Sequence, residues 1–253
     1  MAGVSRLQYS TDIRLIRVMC SGRVDLEFVL RAFSNGTDGV FIGGCRLNEC
    51  NYITHGNYDA LNMVLLCRKI MAHLGLNPER LSVEFMSSGE GMLFTEVVDE
   101  FSKKVKALGP LGKDEEIDQD ELKSKLAEVR KLVPYIKIEK RKKLESRLEN
   151  EEDYDGLFSS DEIDRLLSEV VSYHINPDKC QACMICRKRC PVEAIDGAKN
   201  KIHLIDQETC IKCGTCYEVC PPRFGAVDKI SGEPVPPPIP EEERTIVRKS
   251  KKK

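Results

Sequence analysis

The 253 residues are enough for two modest domains, and their net charge of −2 argues against bulk attraction to nucleic acid. Twelve cysteines without a recognisable signal peptide indicate a reducing compartment, so a cytoplasmic location is predicted. No apolar stretch approaches the roughly 18 residues of a membrane-spanning helix, and no membrane span is predicted.

Residues 1–112 predict a small α/β domain with the element order β-α-β-α-β-α. Strands are predicted where short apolar stretches occur, at Ile13–Met19, Val40–Ile42 and Leu81–Phe85. Helices are predicted over Asp25–Phe33, over Asn57–Leu74, and over a third stretch that Ser88 caps and Gly109-Pro110 closes. This alternation predicts a small parallel sheet with covering helices.

Ligands of parallel sheets bind outside the carboxyl ends of the strands, and two cysteines follow strands here. Cys20 and Cys45 follow the first and second predicted strands, and Cys50 lies in the loop beyond Cys45. Two alternatives stay open: cysteines as small buried hydrophobes, and glycine-rich strand ends that cradle a phosphate. Cys67 lies among apolar helix residues and is predicted to be core.

Several segments of this region resemble the delta subunit of methyl-viologen-reducing hydrogenase, over residues 2–112. They are residues 2–9, 16–23, 39–45, 50–52, 56–58 and 90–109. The resemblance implies one 2Fe–2S cluster, with Cys20, Cys45 and Cys50 on the family's cysteine positions. It also implies electron transfer from a hydrogenase, formate dehydrogenase or other dehydrogenase subunit to a flavin-bearing heterodisulfide reductase-like subunit, in an electron-bifurcating assembly of an anaerobe.

One departure from that family concerns the fourth ligand. The family carries a further C-x2-C segment just upstream of Ala2-Gly-Val-Ser-Arg6, whereas this sequence starts at Met1. Three cysteines cannot complete a four-thiolate site. The expectation is that the start is truncated, or that a separate polypeptide supplies the missing ligands.

Residues 113–173 are predicted to be a charged helical connector. Leu122, Leu126, Val129 and Val133 form an apolar stripe before Pro134, and Lys140–Leu148 predicts a second helix. Ser159 and Glu162 predict a capping box at the start of a third. Solvated helices that join two domains are one interpretation, and stripes that dock on partner subunits are the other.

Two cysteine runs dominate residues 174–232. Both have the spacing C-x2-C-x2-C-x3-C-P of bacterial iron–sulfur proteins, in which the fourth cysteine binds the other cluster. The predicted ligand sets are therefore crossed. Cys180, Cys183, Cys186 and Cys220 hold one 4Fe–4S cluster, and Cys210, Cys213, Cys216 and Cys190 hold the second.

The alternatives for these runs are a zinc site, whose cysteine pairs are usually farther apart, and structural cysteines. The stretch resembles the two-cluster ferredoxin family, which implies a small α+β domain of two pseudo-repeated β-α-β units. Water is predicted to be excluded by Ile185, Val192, Ile195 and Ile211. Arg187, Lys188 and Arg189 are predicted either to raise a cluster potential or to form a solvated face.

The remaining residues, 233–253, predict a proline-rich extended stretch and a basic end. No general base, nucleophile or flavin motif is recognisable, so a non-catalytic electron-transfer subunit is predicted. Two alternatives remain: a free ferredoxin-like carrier with a fused regulatory domain, and a structural adaptor. His55 and His73 are solitary, and surface or capping roles are predicted for them.

Overall fold

The computed structural model describes residues 6–52, 56–148 and 151–246, and of Glu151 only the backbone. His55 and the basic end at 248–253 lie outside the described residues. The chain forms two compact units, Met1–Arg165 and Leu166–Lys253, which we call unit 1 and unit 2. None of the helices described combines the length and the apolar character needed to cross a bilayer.

Unit 1 is a mixed helix and strand structure with one small sheet. Its strands are β1 (Val40–Gly44) and β2 (Leu81–Phe85), which pair in parallel from Val40 opposite Leu81 to Gly44 opposite Phe85. Its helices are α1 (Leu26–Ser34), α2 (Asn57–His73), α3 (Gly91–Leu108), α4 (Gln119–Glu139), the short α5 (Arg141–Leu144) and α6 (Ser160–Ser168), of which α6 runs into unit 2.

Helix α1 shows how the sequence builds these elements. The Asp25 carboxylate accepts a hydrogen bond from the Glu27 backbone N–H, which caps the helix start. Four apolar side chains of the helix are buried, and Gly36 at φ +82° follows its end. The buried side chains are Leu26, Val29, Leu30 and Phe33.

The predicted first strand is wrong. Residues 13–19 form neither strand nor helix, and the sheet has two strands rather than three. Ile16 and Met19 are each 87% exposed, so the apolar side chains that indicated a buried strand lie in solvent. Apolar composition predicts a strand only where a paired and covered position exists, and this segment pairs with neither β1 nor β2.

Two further boundaries differ from expectation. Ser88 does not cap α3, because Glu90 occupies the position before the helix and makes no side-chain cap bond. Helix α4 does not end before Pro134 but continues to Glu139, with Val133, Tyr135 and Ile136 buried around the proline. Their burial offsets the cost of an internal proline, about 3 kcal/mol.

Helix α4 packs on α1 and buries its apolar stripe there. Arg130 pairs with Glu27 at 2.6 Å, and Lys137 pairs with Asp25. The stripe Leu122, Leu126, Val129 and Val133 is therefore covered by the chain's own helix and is neither solvated nor open to a partner protein.

The segment after α4 is held by Glu162. Its carboxylate pairs with Lys140 and with Lys143, each at 2.6 Å. The Ser159 hydroxyl accepts a bond from the Glu162 backbone N–H at 3.1 Å, as predicted for the cap of α6. The predicted second helix is confined to α5 and does not reach Leu148. His73 Nδ1 lies 2.6 Å from an Asp164 carboxylate oxygen.

Unit 2 contains two similar halves. In chain order its elements are β3 (Val171–Ile175), α7 (Ile185–Arg189), β4 (Ile195–Ala198), β5 (Lys201–Ile205), α8 (Thr215–Val219) and β6 (Val227–Ser231). Strand β3 pairs with β6, and β4 pairs with β5, both antiparallel. Each half thus runs strand, helix, strand, and the two short helices contact each other.

The segment after β6 returns to this fold. Residues 233–240 form no regular element, and a 3₁₀-helix then covers Glu241–Arg244. Arg244 is buried, pairs with Asp196 at 2.7 Å and donates to the Ile202 carbonyl oxygen at 3.1 Å. The proline-rich stretch is therefore anchored at its far end.

Candidate metal centre

The first crossed set of cysteines comes together in unit 2. Cys186 lies at the start of α7, and Cys180 precedes that helix in the chain, whereas Cys220 follows α8 in the other half. Burial raises the pKa of the Cys186 thiol to about 11, with further contributions from the nearby thiols of Cys180, Cys183 and Cys220. All four predicted ligands of the first cluster are therefore neighbours.

The second crossed set lines a cavity of its own. Cys190, which follows α7, joins Cys210, Cys213 and Cys216 around a small cavity of about 20 Å³. The rest of the lining is almost entirely apolar, with Tyr173, Val192, Ala194, Ile195, Ile205, Ile211, Gly214 and Thr215. A cysteine-walled, water-poor space is what a buried cluster requires.

The electrostatics of these thiols favour a bound cation. Burial raises the pKa of Cys216 to about 12, with the thiols of Cys210, Cys186 and Cys213 adding to the shift. Burial also raises the pKa of Cys210. Thiols in such a setting stay protonated near neutral pH unless a metal binds and displaces the protons.

The donor geometry differs from that of a single-ion site. Within the described ranges, no three His, Cys, Asp or Glu side chains converge closely enough to hold one metal ion. Thiolates at the corners of a 4Fe–4S cluster surround a larger object, so they need not converge on one point.

Unit 1 brings its three predicted ligands together as well. Cys45 contacts Cys50, and Cys20 also lies within hydrogen-bonding reach of Cys50. Sequence analysis missed Asn57, which is 1% exposed and organises the loop. Its side-chain amide donates to the Cys45 and Arg46 carbonyl oxygens at 2.9 and 2.6 Å.

Backbone N–H groups favour the Cys50 thiolate. Burial opposes ionisation of Cys50, but N–H groups of Tyr52 and Asn57 and the thiols of Cys45 and Cys20 lower its pKa below the ordinary value. Burial and the contact with Cys50 raise the pKa of Cys45. Asn57 begins the 17-residue helix α2, whose positive end adds to the stabilisation of a thiolate.

Two further observations fit a bound group in unit 1. The Ser21 hydroxyl is buried next to Cys20 and has no hydrogen-bond partner among the residues described. Gly56 has φ +133°, and a Cβ atom there would lie 2.6 Å from Cys50 Sγ.

The residues predicted to surround the clusters of unit 2 differ in their burial. Ile195 is buried and Ile211 half-buried. Ile185 is 39% exposed, so the prediction that it excludes water is wrong. Arg187, Lys188 and Arg189 are all exposed. Cys67 is fully buried in α2, as predicted for a core residue.

In a comparison with known protein families, residues 1–109 match the family model "Methyl-viologen-reducing hydrogenase, delta subunit". An iron-sulfur subunit of the F420-non-reducing hydrogenase of Archaeoglobus profundus is 46% identical over 110 residues, 44% of this chain and 80% of that protein. The chain belongs to the methyl-viologen-reducing hydrogenase delta-subunit family. Residues 172–221 match a 4Fe-4S dicluster domain, and residues 205–251 match a single-cluster ferredoxin domain.

A second group of relatives of this delta-subunit family member is much longer. One subunit of the Ferredoxin/F(420)H(2)-dependent CoB-CoM heterodisulfide reductase of Methanosarcina acetivorans is 44% identical over 114 residues, which are 45% of this chain. The corresponding Ferredoxin:CoB-CoM heterodisulfide reductase protein of Methanosarcina mazei is equally similar. The chain spans only 14% of the length of each of these two relatives.

Proposed function

We propose that this chain is a non-catalytic iron–sulfur subunit that relays single electrons between larger redox enzymes. The observation that supports it most is the assembly of eight cysteines of unit 2 into two crossed sets, one of them around an apolar cavity. Iron–sulfur clusters accept and release single electrons when bound. The chain's own residues would hold them, exclude water from them and fix their separation.

The ligand assignment of this proposal is crossed. Cys180, Cys183, Cys186 and Cys220 bind the first 4Fe–4S cluster, and Cys210, Cys213, Cys216 and Cys190 bind the second. Cys20, Cys45 and Cys50 are three ligands of a 2Fe–2S cluster whose fourth ligand comes from elsewhere. The neighbouring thiols of unit 1, the buried Ser21 hydroxyl and the N–H groups at Cys50 support this third site.

The partners follow from the relatives' names. Relatives are named as iron–sulfur subunits of hydrogenases and as subunits of heterodisulfide reductases. We therefore place the chain between a hydrogenase, formate dehydrogenase or other dehydrogenase and a flavin-bearing heterodisulfide reductase-like subunit. A cytoplasmic, electron-bifurcating assembly is the setting that this proposal implies.

The proposal also assigns a role to each segment of the chain. Residues 1–112 and 174–232 are the two redox domains, and residues 233–253 form the tail. The connector, 113–173, serves the fold, since α4 packs on α1 and buries its apolar stripe there.

Iron and sulfide analysis of anaerobically purified chain, with low-temperature EPR, tests the cofactor content. About eight irons indicate the two 4Fe–4S clusters alone, and about ten add the 2Fe–2S site. Zinc in place of iron would overturn the proposal. Co-purification at fixed stoichiometry with a flavoprotein is the expected result for a bound subunit, whereas a monodisperse active monomer indicates a free carrier.

A separate experiment tests the crossed assignment of the cysteines to the two clusters. In Cys190→Ala, we expect loss of about four irons and of the same EPR signal that Cys216→Ala removes, because both residues line one cavity. Cys67→Ala is the matched control, since that buried cysteine lies in unit 1 within α2 and should keep all the iron. If Cys190→Ala instead removes the signal that Cys186→Ala removes, the crossed assignment is wrong.

A further inference from the structure

The two halves of unit 2 place different side chains at equivalent positions. Tyr173 on β3 and His203 on β5 each stand seven residues before the first cysteine of their run. Met184 and Gly214 each stand four residues after it, and both have left-handed backbone, at φ +66° and +77°. Each contact joins the two halves: Tyr173 of the first half approaches Gly214 of the second, and His203 of the second half approaches Met184 of the first.

His203 reaches a predicted cluster ligand. It is 1% exposed, and its Nδ1 atom lies 3.5 Å from Cys186 Sγ. Its Nε2 atom lies 3.2 Å from Met184 Sδ. A Cβ atom on Gly197 would lie 1.8 Å from the imidazole ring, so only glycine leaves room for this placement.

The other pair, Tyr173 and Gly214, makes a different contact. Tyr173 lines the cavity of the second set, and a Cβ atom on Gly214 would lie 2.7 Å from its hydroxyl oxygen. The tyrosine thus occupies the space that Met184 fills in the first half. No histidine lies among the residues that line this cavity.

The proton position at His203 follows from its partner. A cysteine that binds iron is a thiolate with no proton to give, so a hydrogen bond between the two must use the Nδ1–H as donor. Such a bond withdraws negative charge from the ligand sulfur. Because reduction adds negative charge, the bond stabilises the reduced form and raises the reduction potential.

Formal charge does not distinguish the two sets of ligands. Arg187, Lys188 and Arg189 lie between Cys186 of the first set and Cys190 of the second, and Lys212 lies two residues after Cys210 of the second set. The contact between His203 and Cys186 is therefore the feature that is specific to the first set.

We propose that His203 is a potential-setting residue, which raises the reduction potential of the cluster at Cys180, Cys183, Cys186 and Cys220. This inference rests on the proposed function, since it needs both clusters. The bond shifts a single electron shared between the two sites toward the first set. One electron is transferred and no proton moves with it, because the Nδ1–H stays on the ring.

The test is an EPR-monitored redox titration of the full chain with both 4Fe–4S clusters present. In His203→Phe, which keeps a ring but removes the donor, we expect the potential of the first cluster to fall. A lost hydrogen bond of about 1.4 kcal/mol changes the electron distribution about tenfold, or about 59 mV for one electron. Tyr173→Phe is the matched control at the second site, and the potential of the first cluster should stay unchanged in it.

His203→Gln offers a second comparison, because an amide can still donate and should restore part of the shift. A ¹⁵N-histidine label adds a readout that needs no variant. The reduced native chain should show a hyperfine coupling to a histidine nitrogen, and His203→Phe should lack it.

These outcomes separate the two claims. A preparation without iron overturns the proposed function itself. Intact iron with equal potentials in native chain and His203→Phe overturns only the role of His203. Absence of the nitrogen coupling in the native chain does the same, even where the variant fails to fold.

Discussion

Unit 1 and unit 2 both gather cysteines, but the cysteines stand in a different relation to the apolar core in each. The core of unit 1 consists of side chains from α1, α2 and α4, and its three gathered cysteines lie outside it, with Cys45 exposed. In unit 2, three of the nine buried core residues are predicted ligands, namely Cys180, Cys186 and Cys216. Cys190 and Cys220 pack against that core.

This difference separates folding from cofactor binding in unit 1 and joins them in unit 2. An apolar core stabilises unit 1 whether or not a metal is present. The predicted ligands of unit 2 are part of its core, so bound metal contributes to its folding free energy directly. Four experiments test this difference between the units.

Iron removal should have the largest effect. After chelation, the amides of β3 and β6 should exchange with solvent at least about a hundredfold faster, because the ligands are part of the core. Amides of α2 should change less than about threefold. Hydrogen-exchange mass spectrometry of the full chain measures both units in one sample, and equal loss of protection in both units would contradict the comparison.

Glu115→Gln should destabilise unit 1 alone, by about 3–5 kcal/mol, because it leaves the buried Arg80 without its counter-charge. The Arg80 and Glu115 side chains are 0% and 3% exposed and 2.6 Å apart. Glu79→Gln is the control, since Glu79 pairs with Lys104 at the surface and its loss should cost about 0–1 kcal/mol.

The same pair predicts the pH response of unit 1. Burial opposes ionisation of Glu115, but the bonds from Arg80 and the Asn77 backbone N–H outweigh it and lower the pKa below 4.5. The stabilisation is therefore complete above pH 4.5 and is lost as pH falls through the lower, folded value. Denaturant unfolding followed on unit 1 amides should show this acid loss in the native chain and not in Glu115→Gln.

Gly56→Ala should have the smallest effect on stability, about 1–3 kcal/mol of backbone strain. It should also displace Cys50 Sγ, which a Cβ atom at this position would approach to 2.6 Å. Gly36→Ala is the matched control, because φ is +82° there and nothing lies within 4 Å. Both variants should lose stability, but only Gly56→Ala should lose iron in excess of the 4Fe–4S clusters.

The proximity of the predicted ligands in unit 2 has a local reason. Cys180, Cys183 and Cys186 lie so close in the chain that their spacing largely determines their geometry. The positions of the predicted strand ends indicated a shared site for Cys20, Cys45 and Cys50, although the first predicted strand does not form. The glycine-rich loops and helix α2, not a three-stranded sheet, place them.

Other features depend on distant residues and left no local pattern. Pro134 would end an isolated helix, but the buried side chains around it extend α4. The partners of Asn57 and His203 are 11 and 17 residues away or more, and neither side chain belongs to a motif. The comparison of His203 with Tyr173, at matching distances from the cysteine runs, could have drawn attention to it.

The anchored tail affects how unit 2 responds to a protease. Residues 233–240 are mostly exposed and lack regular structure, so cleavage is expected there. Beyond the cut, Arg244 stays buried on Asp196 and Ile202, and the Ile246 N–H donates to the Asn200 carbonyl oxygen at 2.8 Å. The severed piece should therefore remain bound, and a nicked molecule should migrate as one species until it is denatured.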